Sequence, residues 1–214
     1  MMERMSGPAQ PYPILPGSDV EESKIAMRQA VRAAREMRSD RLRGEAAQAV
    51  AEVVAQIPEV AAARCVASYA ARPAEVGTAP LLDLLAARGT RVLLPVLGAG
   101  LSREWAEYAG QEDLAVRAPG RPPEPSGPSM PPEVLAEADV VLAPALAVDT
   151  RGVRLGQGGG WYDRALEYVR PGVKTFALVY PEEIYDASEH PLPVEEHDVR
   201  VSGVATPLGW RELG

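Results

Sequence analysis

Apolar runs that alternate with helical segments constrain the fold of this chain more than any other feature. Residues 64–70, 91–97, 138–148 and 174–180 form short apolar runs of the kind found in buried strands. The helical patterns fall at 21–37, 40–57, 79–89 and 161–169. Strands that alternate with helices in this way predict βαβ units, and therefore an α/β fold whose mostly parallel sheet is covered on both faces.

Smaller elements complete this prediction. Ser23 is a candidate N-cap for the first helix, and Ser39 or Asp40 for the second. The loosely alternating run 101–108 suggests an antiparallel strand near an edge of the sheet, and the segment 197–207 suggests a short last strand.

Prolines and glycines are more frequent than average, with 21 and 19 in 214 residues, although this length suits one globular domain. Four prolines lie in residues 1–20, which we interpret as a disordered or loosely packed N-terminal arm before a domain at 21–214. Seven more lie in residues 118–132, which we expect to be a loop inside that domain because no helix or central strand tolerates them.

Composition excludes several classes of function. The net charge of −8 argues against a nucleic-acid partner, since phosphate contacts need a basic surface. No apolar run is long enough to span a membrane. The single cysteine, Cys65, rules out an intrachain disulfide and favours a reducing compartment. We therefore expect a cytoplasmic monomer without nucleic-acid or membrane partners.

A glycine-rich segment after the third apolar run is the strongest sign of chemistry. Four glycines lie within residues 156–160, directly before the predicted helix 161–169. Glycines at the carboxyl end of a strand let backbone N–H groups approach an anion, so the segment suits phosphate. Arg154 and Arg164 flank it, and Asp163 could hold Mg²⁺ beside the phosphates. The alternative is a flexible turn before a helix.

Three further candidates lie far from this segment. Lys24 and Arg28 share one helical face and could reach phosphates. The alternative is that they belong to a solvent-exposed basic stripe, which continues through Arg32 and Arg35. Glu75 follows the first strand and could accept hydrogen bonds from the N–H groups of a polar heterocycle. The alternative is an ordinary surface glutamate. Asp198 could be a second metal carboxylate.

These features occur in an order that resembles the 5-formyltetrahydrofolate cyclo-ligase family. The resemblance covers about residues 22–208. It is carried by the Lys24 and Arg28 pair, AEVGT at 74–78, LLP at 93–95, GRPPEPSG at 120–127, GVRLGQGGGWYDRAL at 152–166 and LPVEEHDVRVSGVATP at 192–207. The family usually has Tyr or Phe where this chain has Trp161.

The resemblance implies a three-layer α/β/α domain and ATP- and Mg²⁺-dependent cyclisation of 5-formyltetrahydrofolate to 5,10-methenyltetrahydrofolate. The formyl oxygen would attack the γ-phosphate, and N10 would then close the ring with loss of phosphate. ATP would contact Lys24, Arg28 and the loop residues Leu155, Gly156, Gln157, Gly158, Gly159, Gly160, Trp161, Tyr162 and Asp163. By the same resemblance, Glu75 and Tyr162 would bind folate, Asp163 and Asp198 would bind Mg²⁺, and Arg164 and Tyr162 would be catalytic.

Two other functions remain open at this stage. One is a divergent relative that binds nucleotides or phosphate esters without cyclo-ligase turnover, which we would expect to have lost some of these residues. The other is a different enzyme on a similar scaffold, such as a sugar-phosphate isomerase, because a fold does not determine a function.

Overall fold

The protein is described by a computed structural model over residues 10–14, 17–98 and 102–214. Of the predicted arm, residues 1–9 and 15–16 lie outside the described residues. Residues 10–14 pack on the domain: Gln10 Nε2 donates to the carbonyls of Glu182 and Ile184, at 2.9 and 2.8 Å. The Tyr12 ring lies 4.4 Å from that of His190. Within the described residues, no helix is both long and apolar enough to cross a membrane.

A seven-stranded sheet forms the centre of the fold, in the order β10-β9-β7-β4-β1-β2-β3. Its strands are β1 (Cys65–Ala67), β2 (Arg91–Leu97), β3 (Arg103–Glu107), β4 (Val140–Pro144), β7 (Lys174–Leu178), β9 (Gly203–Thr206) and β10 (Gly209–Glu212). Only the edge strands β3 and β10 pair antiparallel with their neighbours. The predicted mostly parallel sheet and the antiparallel edge strand are therefore confirmed.

The central strands are covered on both faces. Every residue of β1 is buried, as are the first four residues of β4. Because successive side chains of a strand point to opposite faces, this pattern requires packing layers above and below the sheet. It agrees with the three-layer α/β/α prediction.

In the part of the chain that the structure describes, five α-helices accompany the sheet. They are α1 (Val20–Glu36), α2 (Asp40–Val54), α3 (Pro58–Ala62), α4 (Ala79–Ala87) and α5 (Trp161–Leu166). Ser39 caps α2 as predicted. The prediction of Ser23 as the cap of α1 was wrong, because Asp19 accepts the backbone N–H of Glu21 and the helix begins three residues earlier. The helix predicted over 161–169 ends at Leu166.

The apolar run 138–148 is not one strand, as the sequence predicted, but two. After Pro144 the chain leaves the large sheet and forms β5 (Ala147–Asp149) in a second, three-stranded sheet. The partners of β5 are β6 (Arg154–Leu155) and β8 (Ile184–Tyr185), which the sequence analysis missed along with β10. This second sheet matters for the site because β6 leads directly into the glycine-rich loop.

The proline-rich segment 118–132 is a loop within the domain, as predicted. It contains no α-helix or strand, although a short 3-10 helix begins at its last residue, Pro132, and isolated backbone bridges pair Glu124 with Ala115 and Met130 with Trp105. Through these bridges the loop follows the edge of the large sheet and reaches the ends of the parallel strands.

Candidate active site

A cavity of about 510 Å³ opens where the parallel strands end. Tyr69 and Ala70 follow β1, residues 95–97 end β2, and Pro144 ends β4, and all of them line the cavity. The carboxyl edge of an open α/β sheet is the usual place for a ligand. The cavity also brings together Lys24, Arg28, Glu75, Asp198 and the whole run 155–163, which the sequence analysis had singled out separately.

The glycine-rich loop lies between β6 and α5 and forms one wall of the cavity. Gly158 and Gly160 have φ angles of 99° and 58°, in the left-handed region that favours glycine. A Cβ atom on Gly158 would also lie 3.4 Å from the guanidinium of Arg28. That distance is an ordinary van der Waals contact, so it is the positive φ of the turn that favours glycine at position 158.

Basic residues of α1 hold this loop. Arg28 Nε donates to the carbonyl of Gly156 at 3.2 Å, and Arg32 Nη2 donates to that of Gln157 at 2.9 Å. Arg35 is only 2% exposed and forms a buried ion pair with Glu183. The alternative of a solvated basic stripe is therefore contradicted, since these side chains contact the protein itself.

Lys24, on the same helix, is also buried and is 4% exposed. Its Nζ contacts Glu195 Oε2 and Asp198 Oδ2, each at 2.6 Å. Burial lowers the pKa of Lys24, but hydrogen bonds and charge attraction from the two carboxylates outweigh it, so that the pKa is raised. The pKa of Asp198 is lowered: burial opposes this shift, and the hydrogen bond from Lys24 produces it. The ammonium and the Asp198 carboxylate thus both carry their charge near neutral pH.

Arg154 holds Asp163 close to the segment that carries Asp198. Arg154 Nη2 donates to Asp163 Oδ1 at 2.7 Å, and the backbone N–H of Val199 reaches the same oxygen at 3.4 Å. Among the residues described, the buried Nε of Arg154 has no hydrogen-bond partner. Arg164 is exposed and does not line the cavity, so the structure places Arg154, rather than Arg164, at this site.

Glu75 also lines the cavity and is 7% exposed, so the alternative of a surface glutamate is wrong. Its carboxylate accepts the backbone N–H of Arg72 at 2.9 Å, the Arg72 guanidinium at 2.9 Å and Gln157 Nε2 at 3.0 Å. The side chain of Gln157 therefore links the glycine-rich loop to Glu75, and a ligand N–H would have to share or displace these donors.

Aromatic rings line the cavity as well. Trp161 lies 5.1 Å from Trp105 and 5.0 Å from Tyr162, measured between ring centroids. The Tyr162 hydroxyl donates to the carbonyl of Ser68 at 3.3 Å. Burial, and then the charge of Glu75, raise the pKa of Tyr162 well above its usual value. What Tyr162 offers the cavity is therefore its ring, since its hydroxyl stays protonated and bonded to the backbone.

Sequence reasoning missed several residues of this cavity. Glu195 and His197 join Asp198 in a group whose donor atoms all lie within 4.8 Å of one another. Arg72 and the buried Glu124 also line the cavity. Glu195 and His197 lie inside the quoted segment 192–207 and Glu124 inside 120–127, while Arg72 lies two residues before AEVGT. Only the fold shows which residues of these segments face the cavity.

Comparison with known proteins matches residues 20–207 to the model of the 5-formyltetrahydrofolate cyclo-ligase family. A 5-formyltetrahydrofolate cyclo-ligase of Mycolicibacterium smegmatis is 40% identical over 149 residues, which cover 67% of this chain and 74% of the relative. A protein of the same name from Escherichia coli K12 is 34% identical over 167 residues, covering 76% and 88%.

Solved structures show the same fold. The NMR structure of Aquifex aeolicus 5,10-methenyltetrahydrofolate synthetase superposes with a TM-score of 0.73 at 26% identity, covering 89% of this chain and 92% of that one. A synthetase from Mycoplasma pneumoniae has a TM-score of 0.65 at 17% identity, and this match concerns the fold alone.

Proposed function

Because this chain belongs to the 5-formyltetrahydrofolate cyclo-ligase family, we propose that it catalyses the ATP- and Mg²⁺-dependent cyclisation of 5-formyltetrahydrofolate to 5,10-methenyltetrahydrofolate, with release of ADP and phosphate. One observation carries the proposal. A single cavity is lined by a phosphate-compatible loop, a buried lysine and carboxylates, and also by Glu75 and aromatic rings.

The triphosphate would lie along the glycine-rich loop, between Lys24 and Arg28 on α1 and Arg154 beneath the loop. These groups belong to three separate elements but line the same wall of the cavity. Phosphoryl transfer mainly requires positioning and neutralisation of charge, which buried cations and backbone N–H groups supply. The hydrogen-bonding capacity of Arg154 Nε, unused among the described residues, is consistent with a ligand there.

The acidic group beside Lys24 fits Mg²⁺. Mg²⁺ prefers oxygen ligands and binds through one or two carboxylates together with phosphate oxygens. Asp198 supplies such a carboxylate, and Asp163 accepts the backbone N–H of Val199, the residue that follows Asp198. We propose that these two residues hold the ion, and that Glu195 is close enough to assist. When bound, Mg²⁺ would neutralise charge on the transferred phosphoryl group.

The folate heterocycle would lie beside Glu75. Its N–H groups can donate hydrogen bonds to the carboxylate of Glu75. The rings of Trp161 and Tyr162 offer a flat apolar surface for the heterocycle. The linkage from Glu75 through Gln157 to the glycine-rich loop keeps the heterocycle and the phosphates in one site. This arrangement would bring the formyl group close to the γ-phosphate.

The chemistry then needs no covalent nucleophile from the protein. The formyl oxygen attacks the γ-phosphorus, forming an O–P bond as the bond to ADP breaks. N10 attacks the activated carbon and gives up its proton to water or to the phosphate, the C–O bond breaks, and phosphate leaves with the former formyl oxygen. Lys24, Arg28 and Arg154 would stabilise the charge on the phosphoryl oxygens, while the buried walls would limit the access of water.

A turnover assay tests this proposal. Purified protein, 5-formyltetrahydrofolate, ATP and Mg²⁺ should together produce the absorbance of the methenyl product, and omission of ATP should abolish it. A folded protein that neither forms this product nor binds the folate would contradict the proposal. A protein that binds ATP alone would support the divergent phosphate-binding relative instead.

A further inference from the structure

Lys24 has two acidic partners, whereas Arg28 and Arg154, the two other cations proposed to meet the triphosphate, have one each. Glu195 Oε2 and Asp198 Oδ2 both lie 2.6 Å from Lys24 Nζ. By contrast, Arg28 pairs with Glu21 at 3.1 Å and Arg154 pairs with Asp163 at 2.7 Å. The charges of Lys24, Glu195 and Asp198, called the Lys24 group below, therefore sum to one negative charge. The two arginine pairs are each neutral.

This excess charge stands where the proposed triphosphate would be bound. A free polyphosphate would meet a lysine whose charge is already more than balanced, and only one of its three N–H donors would remain unused. A polyphosphate that carries a divalent cation would bring the positive charge that the group lacks. Charges act strongly here because Lys24 and Asp198 are largely withdrawn from solvent, with side chains 5% and 13% exposed.

We propose that Glu195 is a specificity-determining residue, which makes the site prefer a nucleoside triphosphate complexed with a divalent cation over the free nucleotide. Asp198 alone would balance Lys24, and Glu195 supplies the second negative charge. This inference rests on the proposed function, because it assumes that the part of the cavity beside Lys24 binds the triphosphate. It assigns Glu195 no contact with the reacting atoms.

Equilibrium binding without folate tests the inference, because no turnover takes place. Dissociation constants are measured by calorimetry for ATP in excess EDTA and for ATP in excess Mg²⁺, in the wild type and in Glu195→Gln. The substitution should tighten binding of free ATP by roughly 3- to 10-fold, a range that allows for the partial exposure of Glu195. Mg²⁺-ATP should gain less or lose affinity, so the preference ratio falls.

Glu196→Gln is the matched control. It removes the same charge from the same loop, but Glu196 is exposed and does not line the cavity. Its preference ratio should equal that of the wild type, whereas Glu195→Asp should keep most of the preference because it keeps the charge. The ratio compares two ligands within one protein, so a partly unfolded sample does not alter it.

The outcomes separate the two proposals. If the wild type binds both forms of ATP but Glu195→Gln leaves the ratio unchanged, or weakens both forms equally, the role of Glu195 is refuted while the nucleotide site stands. If the wild type binds neither form, the proposed function itself fails, and this inference fails with it.

Discussion

At the scale of single residues, Lys24 is the cation best placed to meet a triphosphate, and Lys174, the other lysine of the chain, offers a natural control. Lys24→Ala should raise the KM for ATP by about tenfold or more and the KM for folate much less, since a charge-assisted contact is lost. Lys174 pairs with Glu59 and Glu212 on the surface, so Lys174→Ala should leave both constants unchanged. If Lys24→Ala raises the KM for ATP and the KM for folate by the same factor, the proposed contact between Lys24 and the phosphates is contradicted.

Tyr162→Phe tests whether the ring or the hydroxyl matters. The hydroxyl donates to the carbonyl of Ser68, and its pKa is raised by burial and by Glu75, so proton transfer through it is unfavourable. We expect a loss of stability of about 0.5–1.5 kcal/mol, measured by urea unfolding, with kcat within about threefold of the wild type. A fall in kcat of about 100-fold or more would instead give the hydroxyl a direct catalytic role.

Single residues also show how far sequence reasoning could reach into the site. The glycine-rich loop, Lys24, Arg28 and Asp198 were recognisable because their types and spacing suit phosphate and Mg²⁺. Glu195 and Glu196 are chemically identical neighbours, and only the packing of their loop against α1 decides that Glu195 faces Lys24. Arg154 and Arg164 were equivalent candidates until the fold buried the first and exposed the second.

At the scale of elements, the predictions that held were those in which local pattern and tertiary packing agree. The buried strand β2, the Ser39 cap and the parallel core follow from apolar periodicity and capping chemistry. The prediction of one strand over 138–148 was wrong because its apolar residues belong to strands of two different sheets. Apolar character alone does not show where one buried strand ends and the next begins. Strands of two residues, such as β6 and β8, carry too little pattern to be recognised.

The glycine-rich loop gives a prediction for an element. Gly158→Ala places a methyl group on a residue whose φ is 99° and that lies next to Arg28. The free energy of unfolding should therefore fall by about 1 kcal/mol or more, and the KM for ATP should rise. A Cβ atom added at Gly44, within α2, would meet no neighbouring element within 4 Å, and the φ of Gly44 is not positive. Gly44→Ala should therefore raise stability by about 0.5–1 kcal/mol without changing the KM. A Gly158→Ala variant with unaltered nucleotide affinity would argue against a conformational requirement at this position.

The buried ion pair between Arg35 and Glu183 fixes α1 beside the second sheet. Arg35 Nε and Nη2 each lie 2.7 Å from a Glu183 oxygen, and Nη2 also donates to the carbonyl of Ala145. Arg35→Ala leaves a buried carboxylate without its partner and should lower the free energy of unfolding by about 3–5 kcal/mol in denaturant titration. Arg41→Ala breaks only an exposed pair with Glu45 and should cost about 1 kcal/mol or less. Similar losses in the two variants would contradict the anchoring role of Arg35.

At the scale of the whole molecule, the site depends on chain topology more than on any one motif. Lys24 and Asp198 stand near opposite ends of the chain, yet their side chains touch because α1 and the segment 195–198 meet at the same corner of the cavity. The excess of proline and glycine also acquires a meaning at this scale. The glycine-rich loop and part of the proline-rich loop form walls of one cavity at the carboxyl edge of the sheet.

We propose that this cavity transfers the γ-phosphoryl group of ATP to the formyl oxygen before the ring closes. Substrate carrying ¹⁸O in the formyl group tests this step, with the released phosphate analysed by mass spectrometry. We expect each methenyl product formed to be matched by one ADP and one phosphate that carries the label. Unlabelled phosphate accompanying methenyl product would contradict transfer to the formyl oxygen.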